Sequence, residues 1–263
     1  MTTLTNDALL AVAERLDVQT LPLVLSVGPQ QDSYDAWLAA RDRALADLDA
    51  AGVFDSDGDV EIGLAEALFV LAQPERELVA RNYSPDGVVR VCVAYRNDKH
   101  AVAVRNGDDF ELGLWWCDGS PEELARAILG ALEPCVPAEV SGFSAPAVDL
   151  AERLDRAQDT SAYIDAMYAL GVPARDASIF GAAFGSCRAF TEIVAYSHED
   201  GQSTRAAGAV AVYDTERGRL VAAPTVSPDQ QIWSTVTTGS DYRVAQAIAA
   251  LLEGLPGGRW LTP

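Results

Sequence analysis

The sequence predicts an α+β fold of two quasi-equivalent halves, residues 1–137 and 138–263, each an antiparallel β-meander with flanking helices, joined in one compact body. Two observations predict it. The chain repeats itself at an offset near 119, and a long-period repeat sets the architecture before any local reading does. Gly52-Val53 returns as Gly171-Val172, Tyr95 as Tyr213 and Trp115 as Trp233. Residues 124–133 return as 244–253, where Ala125, Ala127, Ile128, Leu132 and Glu133 have identical counterparts. Val93-Ala94-Tyr95 also matches Val194-Ala195-Tyr196, but at an offset of 101, and is read as coincidence. The second observation is that strand-like runs follow one another without helices between them, as in α+β proteins.

The elements follow in order. Leu9, Val12, Ala13 and Leu16 form a helical stripe behind Thr5-Asn6, which can cap it. Leu21–Val27 reads as a strand with Pro22 at its start, where a missing N–H is tolerated. Helices are expected over 33–51 and 64–72, the second stopping before Pro74. Strands over 76–83, 88–96, 100–105 and 110–117 are separated by the turns Ser84-Pro85-Asp86-Gly87, Asn97-Asp98 and Asn106-Gly107. Ser120-Pro121-Glu122-Glu123 combines a capping hydroxyl, a proline at the first helical position and the capping-box glutamate. The second half repeats this with a strand over 140–145, helices over 150–170 and 175–186, and strands over 189–197, 204–213, 218–226 and 231–238. A final helix begins at Ser240-Asp241, and the polar stretch 197–203 reads as a flexible excursion. Each half is thus expected to run strand, two helices, four strands, helix.

Composition narrows the function classes. Nineteen basic against thirty-nine acidic residues give a net charge of −20, which disfavours nucleic-acid phosphates and anionic membranes as partners. The N-terminal residues lack the basic and apolar regions of a secretory signal, and no apolar run reaches the ~18 residues of a membrane span. Cys92, Cys117, Cys135 and Cys187 show no C-x-x-C spacing. The expectation is a reduced, cytoplasmic chain without cofactor or metal.

The local motifs are weak. Asp55, Asp57, Asp59 and Glu66 fall at positions 1, 3, 5 and 12 of an EF-hand-like loop over 55–66, the signature of a calcium-binding module. Val60 stands where that loop needs glycine, and a capped acidic turn is the competing reading. His100 and His198 lack ligand-like spacing and read as surface hairpin residues. No G-x-S-x-G elbow occurs, so an uncharacterised hydrolase rests only on spare Ser, His and Asp residues. The expectation is no enzyme. Trp115 and Trp116 are consecutive on a strand and point to opposite faces. Trp115 and Trp233 are read either as residues between the halves or as anchors for a partner, since interfaces favour Trp.

Several segments resemble one family. Residues 4–18 with Thr20-Leu21-Pro22, then 51–58 and 71–78, then 208–218 and 255–260, are similar to EspG proteins, and the ordered set spans essentially the whole chain. The resemblance implies a cytosolic chaperone of ESX (type VII) secretion that binds the hydrophobic tip of the PPE subunit in PE–PPE heterodimers. It implies two quasi-equivalent halves around a β-sheet. It also places partner contacts on the sheet, the loop between the second and third strands, and the C-terminal helix. Carried onto this chain, the candidate contacts are Tyr83, Ser84, Pro85, Asp86, Trp115, Trp233 and Tyr242.

Overall fold

Thr5 sets the first element by capping: its Oγ1 accepts the Ala8 N–H at 3.3 Å and opens α1, Asn6–Arg15. The preceding residues, Thr2–Thr5, form a short strand β1 that the sequence reading missed. The computed structural model describes residues 1–261, and the chain divides into two units. Unit 1 holds Met1–Val79 and Val89–Cys117; unit 2 holds Ala80–Val88 and Asp118 onward.

In unit 1, α2 (Tyr34–Ala50) starts at the Ser33 cap and α3 (Ile62–Ala72) at Glu61, whose carboxylate accepts the Gly63 and Leu64 N–H groups. Strand β2, Arg76–Ser84, begins in this unit, and β3, Gly87–Arg96, ends in it. Strands β4 (Lys99–Asn106) and β5 (Asp109–Trp115) continue the meander. The order β1-β5-β4-β3 is antiparallel throughout, with Leu4 opposite Phe110 and Val91 opposite Val104. Asn97 and Asp98 both take positive φ, 48° and 60°, the conformation a two-residue hairpin turn demands. Helix α3 packs on β4 and β5, and its Leu68 and Leu71 are buried, as is Phe110 of β5.

Leu21–Val27 is not a strand. Leu23–Leu25 is a 3-10 turn and Ser26 is left-handed at φ 52°. The carbonyls a ladder would have used are taken by side chains: Arg90 Nη1 donates to Val24 O at 3.3 Å and Arg105 Nη1 to Leu25 O at 2.8 Å. His100 is not a surface residue either. It is 5% exposed, with Tyr95 at 5.0 Å and Trp115 edge-on at 6.4 Å.

Unit 2 carries α4 (Pro121–Leu129), β6 (Phe143–Pro146), α5 (Ala147–Arg156), α6 (Thr160–Ala169) and α7 (Ala174–Phe184). Strands β7 (Cys187–Glu199), β8 (Gln202–Arg205), β9 (Val210–Thr215), β10 (Gly218–Val226) and β11 (Ile232–Thr238) follow, and α8 (Asp241–Glu253) closes the order. The strands run β7-β9-β10-β11-β6, with β8 attached to β7. Leu220, Ala222 and Val236 pack into one cluster with Met167, Phe180 and Phe184 of α6 and α7. Strand alternation turns Val221 to the opposite face, and α8 packs on β10 and alongside α4.

Three expectations change here. The helix expected over 150–170 is two helices, because Asp159 leaves the helical conformation and accepts the Ala162 N–H at 2.8 Å to start α6. Three helices, not two, therefore precede each meander. The excursion at 197–203 is a hairpin: Asp200 and Gly201 take positive φ and pair His198 with Ser203 in register. Trp115 and Trp233 are not positional mates, since Trp115 ends β5 opposite His100 whereas Trp233 begins β11 opposite Pro146.

The glycine match does survive. Gly52 (φ 70°) and Gly171 (φ 82°) each follow a helix, and the next residue donates back to it, Val53 N to Leu48 O at 3.0 Å and Val172 N to Met167 O at 3.1 Å. This is the six-to-one bond of a Schellman cap, which needs a residue free of the Cβ penalty.

Candidate functional site

The expected contact loop is a tight turn in unit 2. Ser84 Oγ accepts the Asp86 N–H at 3.3 Å and donates to Gly87 O at 3.4 Å, and Gly87 takes φ 132°. Pro85 and Asp86 are exposed at its tip. Tyr83, 43% exposed, stacks on Phe190 at 6.2 Å with the rings 18° apart. Two residues back along β2, Arg81 lies 3.7 Å from Glu192, whose other oxygen is 4.0 Å from Arg205. Between them Asn82 turns inward and donates to Thr191 Oγ1 at 2.8 Å, a buried bond across 109 residues. The turn is therefore held on a surface that joins aromatic area to a shared carboxylate. Sequence reasoning missed Arg81, Phe190, Glu192 and Arg205, because cross-strand neighbours this far apart leave no local signal.

The remaining candidates lie elsewhere. Within unit 2, strands β7, β9 and β10 come between β2 and β11, so half-buried Trp233 does not join the Tyr83–Asp86 turn. Tyr242 is 62% exposed on α8, where its hydroxyl accepts Gln246 Nε2 at 2.8 Å. It edges a groove of about 670 Å³ between α4 and α8 that is walled by Ala125, Leu129, Leu132 and Ala245. Trp115 is half-buried in unit 1, and its neighbour Trp116 is 81% exposed.

At the base of that groove lies a buried ion pair. Arg219 Nε and Nη2 donate to the two Asp214 oxygens at 2.6 and 3.0 Å, and Nη2 also donates to Glu133 O at 3.0 Å. Burial pulls the Arg219 pKa down, but the hydrogen bond and charge of Asp214 outweigh it and the net direction is up. Burial, then the Asp214 charge, also pushes the nearby Cys135 thiol up. A thiol with a raised pKa is a poor nucleophile.

The 55–66 loop does not take the EF-hand shape. Its positive φ falls at Gly58 (79°), and Asp55 Oδ1 is engaged by its own loop, accepting the Asp57 and Asp59 N–H groups at 2.9 Å each. Arg15 Nε donates to Gly58 O at 2.9 Å and ties the loop to the end of α1. Among the described residues no group of three His, Cys, Asp or Glu side chains is arranged to hold a metal ion, and no helix is long and apolar enough to cross a membrane. His198 Nδ1 stands 2.8 Å from Ser203 Oγ, as their register on the β7–β8 ribbon dictates.

The arrangement defines an α+β protein whose antiparallel meanders are flanked by helices and whose candidate site is a side-chain surface. The chain belongs to the EspG family, whose sequence model matches residues 5–250. It is 32% identical to the ESX-1 secretion-associated protein EspG1 of Mycobacterium tuberculosis, over 98% of this chain and 88% of that protein. It is 29% identical to the ESX-3 secretion-associated protein EspG3 of Mycolicibacterium smegmatis, over 98% and 88%. Its fold matches the M. tuberculosis type VII secretion chaperone EspG5, solved in complex with the PE25–PPE41 dimer, with a TM-score of 0.82, 19% identity and 98% coverage of both chains.

Proposed function

We propose that this chain is a cytoplasmic, non-enzymatic chaperone of type VII secretion that binds a PE–PPE heterodimer through the hydrophobic tip of its PPE subunit. The observation that carries the reading is the full-length relationship to secretion-associated EspG proteins. The likeness of fold to a chaperone solved with its PE–PPE cargo supports it. The physical task is to cover an apolar helical tip that would otherwise self-associate in water. The Tyr83–Asp86 turn and Tyr242 are the contacts we assign first, because they expose aromatic surface on β2 and α8; Trp115 and Trp233 contribute only where half-burial leaves ring area free. We also read residues 1–137 and 138–263 as a pseudo-repeat, supported by their common element order and by the pairing of each leading strand with the last strand of its own meander.

Co-expression with the PE–PPE pairs encoded in the same genome tests the function. A stable ternary complex on size exclusion is expected with at least one pair. Failure with every pair overturns the reading. Contact assignment is tested by Tyr83→Ala with Asp86→Lys, which is expected to weaken capture by at least tenfold without a change in fold.

One observation favours a second reading. The His198–Ser203 pair at 2.8 Å is the convergent geometry a hydrolase would need. Ser203 is exposed on a hairpin, where water rather than a low-dielectric pocket surrounds it. Labelling of Ser203 by a fluorophosphonate probe would establish that reading, and absence of labelling removes it.

A further inference from the structure

Arg81 and Arg205 share one carboxylate, and they share it loosely. Arg81 Nη1 lies 3.7 Å from Glu192 Oε2, and Arg205 Nη2 lies 4.0 Å from Glu192 Oε1. Neither guanidinium donates a hydrogen bond to any group among the described residues. Other surface arginines are held closely: Arg41 donates to Glu14 at 2.6 Å and Arg156 to Glu152 at 3.0 Å. A guanidinium carries five N–H donors in a fork that matches the edge of a carboxylate. The Arg81 and Arg205 side chains are 32% and 48% exposed, so part of their hydration is already lost without a protein acceptor in its place. Two cations against one anion also leave a local positive charge on a chain of net charge −20.

That charge stands beside apolar area on the same sheet face. Side chains alternate along a strand, so Arg81 and Tyr83 share one face of β2, as Phe190 and Glu192 do on β7. Tyr83 stacks on Phe190 at 6.2 Å, and Phe190 lies 5.2 Å from Tyr213. Two residues of strand span about 7 Å. Side chains three or four apart on a helix stand about 5–6 Å apart at Cβ. A helix laid on this face therefore sets an apolar residue on the Tyr83 ring and a neighbouring carboxylate on the guanidiniums. Asp86 sits on the turn beyond Tyr83 and forms no ion pair among the described residues, so the guanidinium donors stay open to an outside acid.

We propose that this face recognises a helical segment of the cargo in which an Asp or Glu lies three or four residues from an apolar residue, the apolar side chain resting on Tyr83 and the carboxylate taken by Arg81 and Arg205. The inference rests on the chaperone reading and names the chemistry that the cargo presents to it.

The test uses the PE–PPE pair that co-purifies with the parent chain, titrated calorimetrically against the full chain at 50 and 300 mM salt. R81Q/R205Q is expected to bind at least tenfold more weakly at the lower salt, and its affinity is expected to fall less with added salt than the parent's. Because the pairing with Glu192 is loose and half-exposed, this variant is expected to melt within about 3 °C of the parent. On the cargo side, each Asp and Glu of the PPE tip is changed in turn to Asn or Gln. One such change is expected to weaken binding to the parent by a similar factor and to leave binding to R81Q/R205Q unaltered, the coupling that a direct contact requires. Capture of a pair by the parent with equal affinity in R81Q/R205Q, or with no cargo carboxylate coupled to the arginines, overturns this proposal and leaves the chaperone reading standing. Capture of no pair by the parent removes both.

Discussion

Replacing Arg219 with methionine isolates the buried ion pair of unit 2. The substitution keeps an unbranched apolar stem, shorter than that of arginine, and removes the charge, and it leaves Asp214 with a side chain only 7% exposed and no cation. It also frees Glu133 O. The backbone bonds at this position persist: Arg219 N donates to Val136 O at 2.6 Å, and Arg219 O accepts the Ala138 and Gly239 N–H groups at 2.9 and 2.7 Å. The loss is therefore electrostatic rather than a break in the ladder. Removing one partner of a buried pair costs about 3–5 kcal/mol, because the remaining charge stays desolvated. For a chain of this size that is roughly 6–20 °C in melting temperature. Replacing both partners by apolar residues, as in R219M/D214L, is expected to recover most of the loss, since the pair itself contributes little beyond its own desolvation cost. Differential scanning calorimetry of the parent, both single variants and the double variant closes the cycle. A loss below about 1 kcal/mol in R219M, or a double variant no more stable than R219M, refutes the reasoning.

Other consequences are read the same way. A Cβ at Gly181 would fall 2.7 Å from Ile164 N and 2.8 Å from its Cα, so Gly181→Ala is expected to force α6 and α7 apart and cost about 1–3 kcal/mol in urea unfolding. Gly52→Ala and Gly171→Ala meet nothing within 4 Å, so each is expected to cost only the left-handed strain, about 1 kcal/mol, and to a similar extent at the two sites. Ser120→Ala removes the hydroxyl that accepts the Glu123 N–H at 3.3 Å and is expected to cost about 1 kcal/mol by thermal melting. Burial first, then the charge and hydrogen bond of Glu77, holds the Cys92 thiol well above its ordinary pKa. The folded state thus keeps the proton that the unfolded chain loses. The resulting stability is intact below the ordinary thiol pKa and is lost as pH rises above it. Native Cys92 is expected to resist alkylation at pH 8 and to react on unfolding, as peptide mass spectrometry would show.

How much of this was legible depended on where each determinant sat in the chain. Caps and hairpin turns are local, and Thr5, Ser240 and Asn97-Asp98 act as their spacing implies; Ser120 caps α4, but the expected capping box is not closed, because the Ser120 N–H donates to Asp118 Oδ1 at 2.9 Å and the Glu123 carboxylate pairs with Arg126. Asp159-Thr160 and Asp200-Gly201 carried equally local signals, and reading a long amphipathic stripe through the first and a polar loop through the second hid them. The 21–27 segment was different in kind. Its apolar run looks like a strand, and only arginines from β3 and β4, 66 and 80 residues away, explain why its carbonyls need no ladder. The same distance problem hid the candidate surface: Tyr83 was nameable from sequence, but Phe190 and Glu192 become its neighbours only through strand pairing.

Under the proposed pseudo-repeat, residues 1–137 and 138–263 agree where backbone geometry imposes a requirement and part where it does not. Gly52 and Gly171 close corresponding helices because few residues tolerate that conformation. β1 and β6 each pair with the last strand of their own meander because a short leading strand gains its hydrogen bonds there. Between Gly52 and α3, however, the first half inserts the acidic Asp55 loop, whereas in the second half α7 begins at Ala174, three residues after Gly171. Only the second half extends its first meander strand into the β7–β8 ribbon, and only there does Glu192 meet both Arg81 and Arg205. Features that a shared scaffold does not require are the ones free to be shaped by a partner. The Tyr83–Phe190–Glu192 surface is therefore a better place to seek cargo discrimination than any residue the proposed repeat preserves. Exchanging Glu192 for lysine, which reverses a carboxylate shared by Arg81 and Arg205, is expected to change which PE–PPE pair is captured while leaving the melting temperature within about 3 °C. Unaltered capture of every pair by this variant would place discrimination elsewhere on the protein.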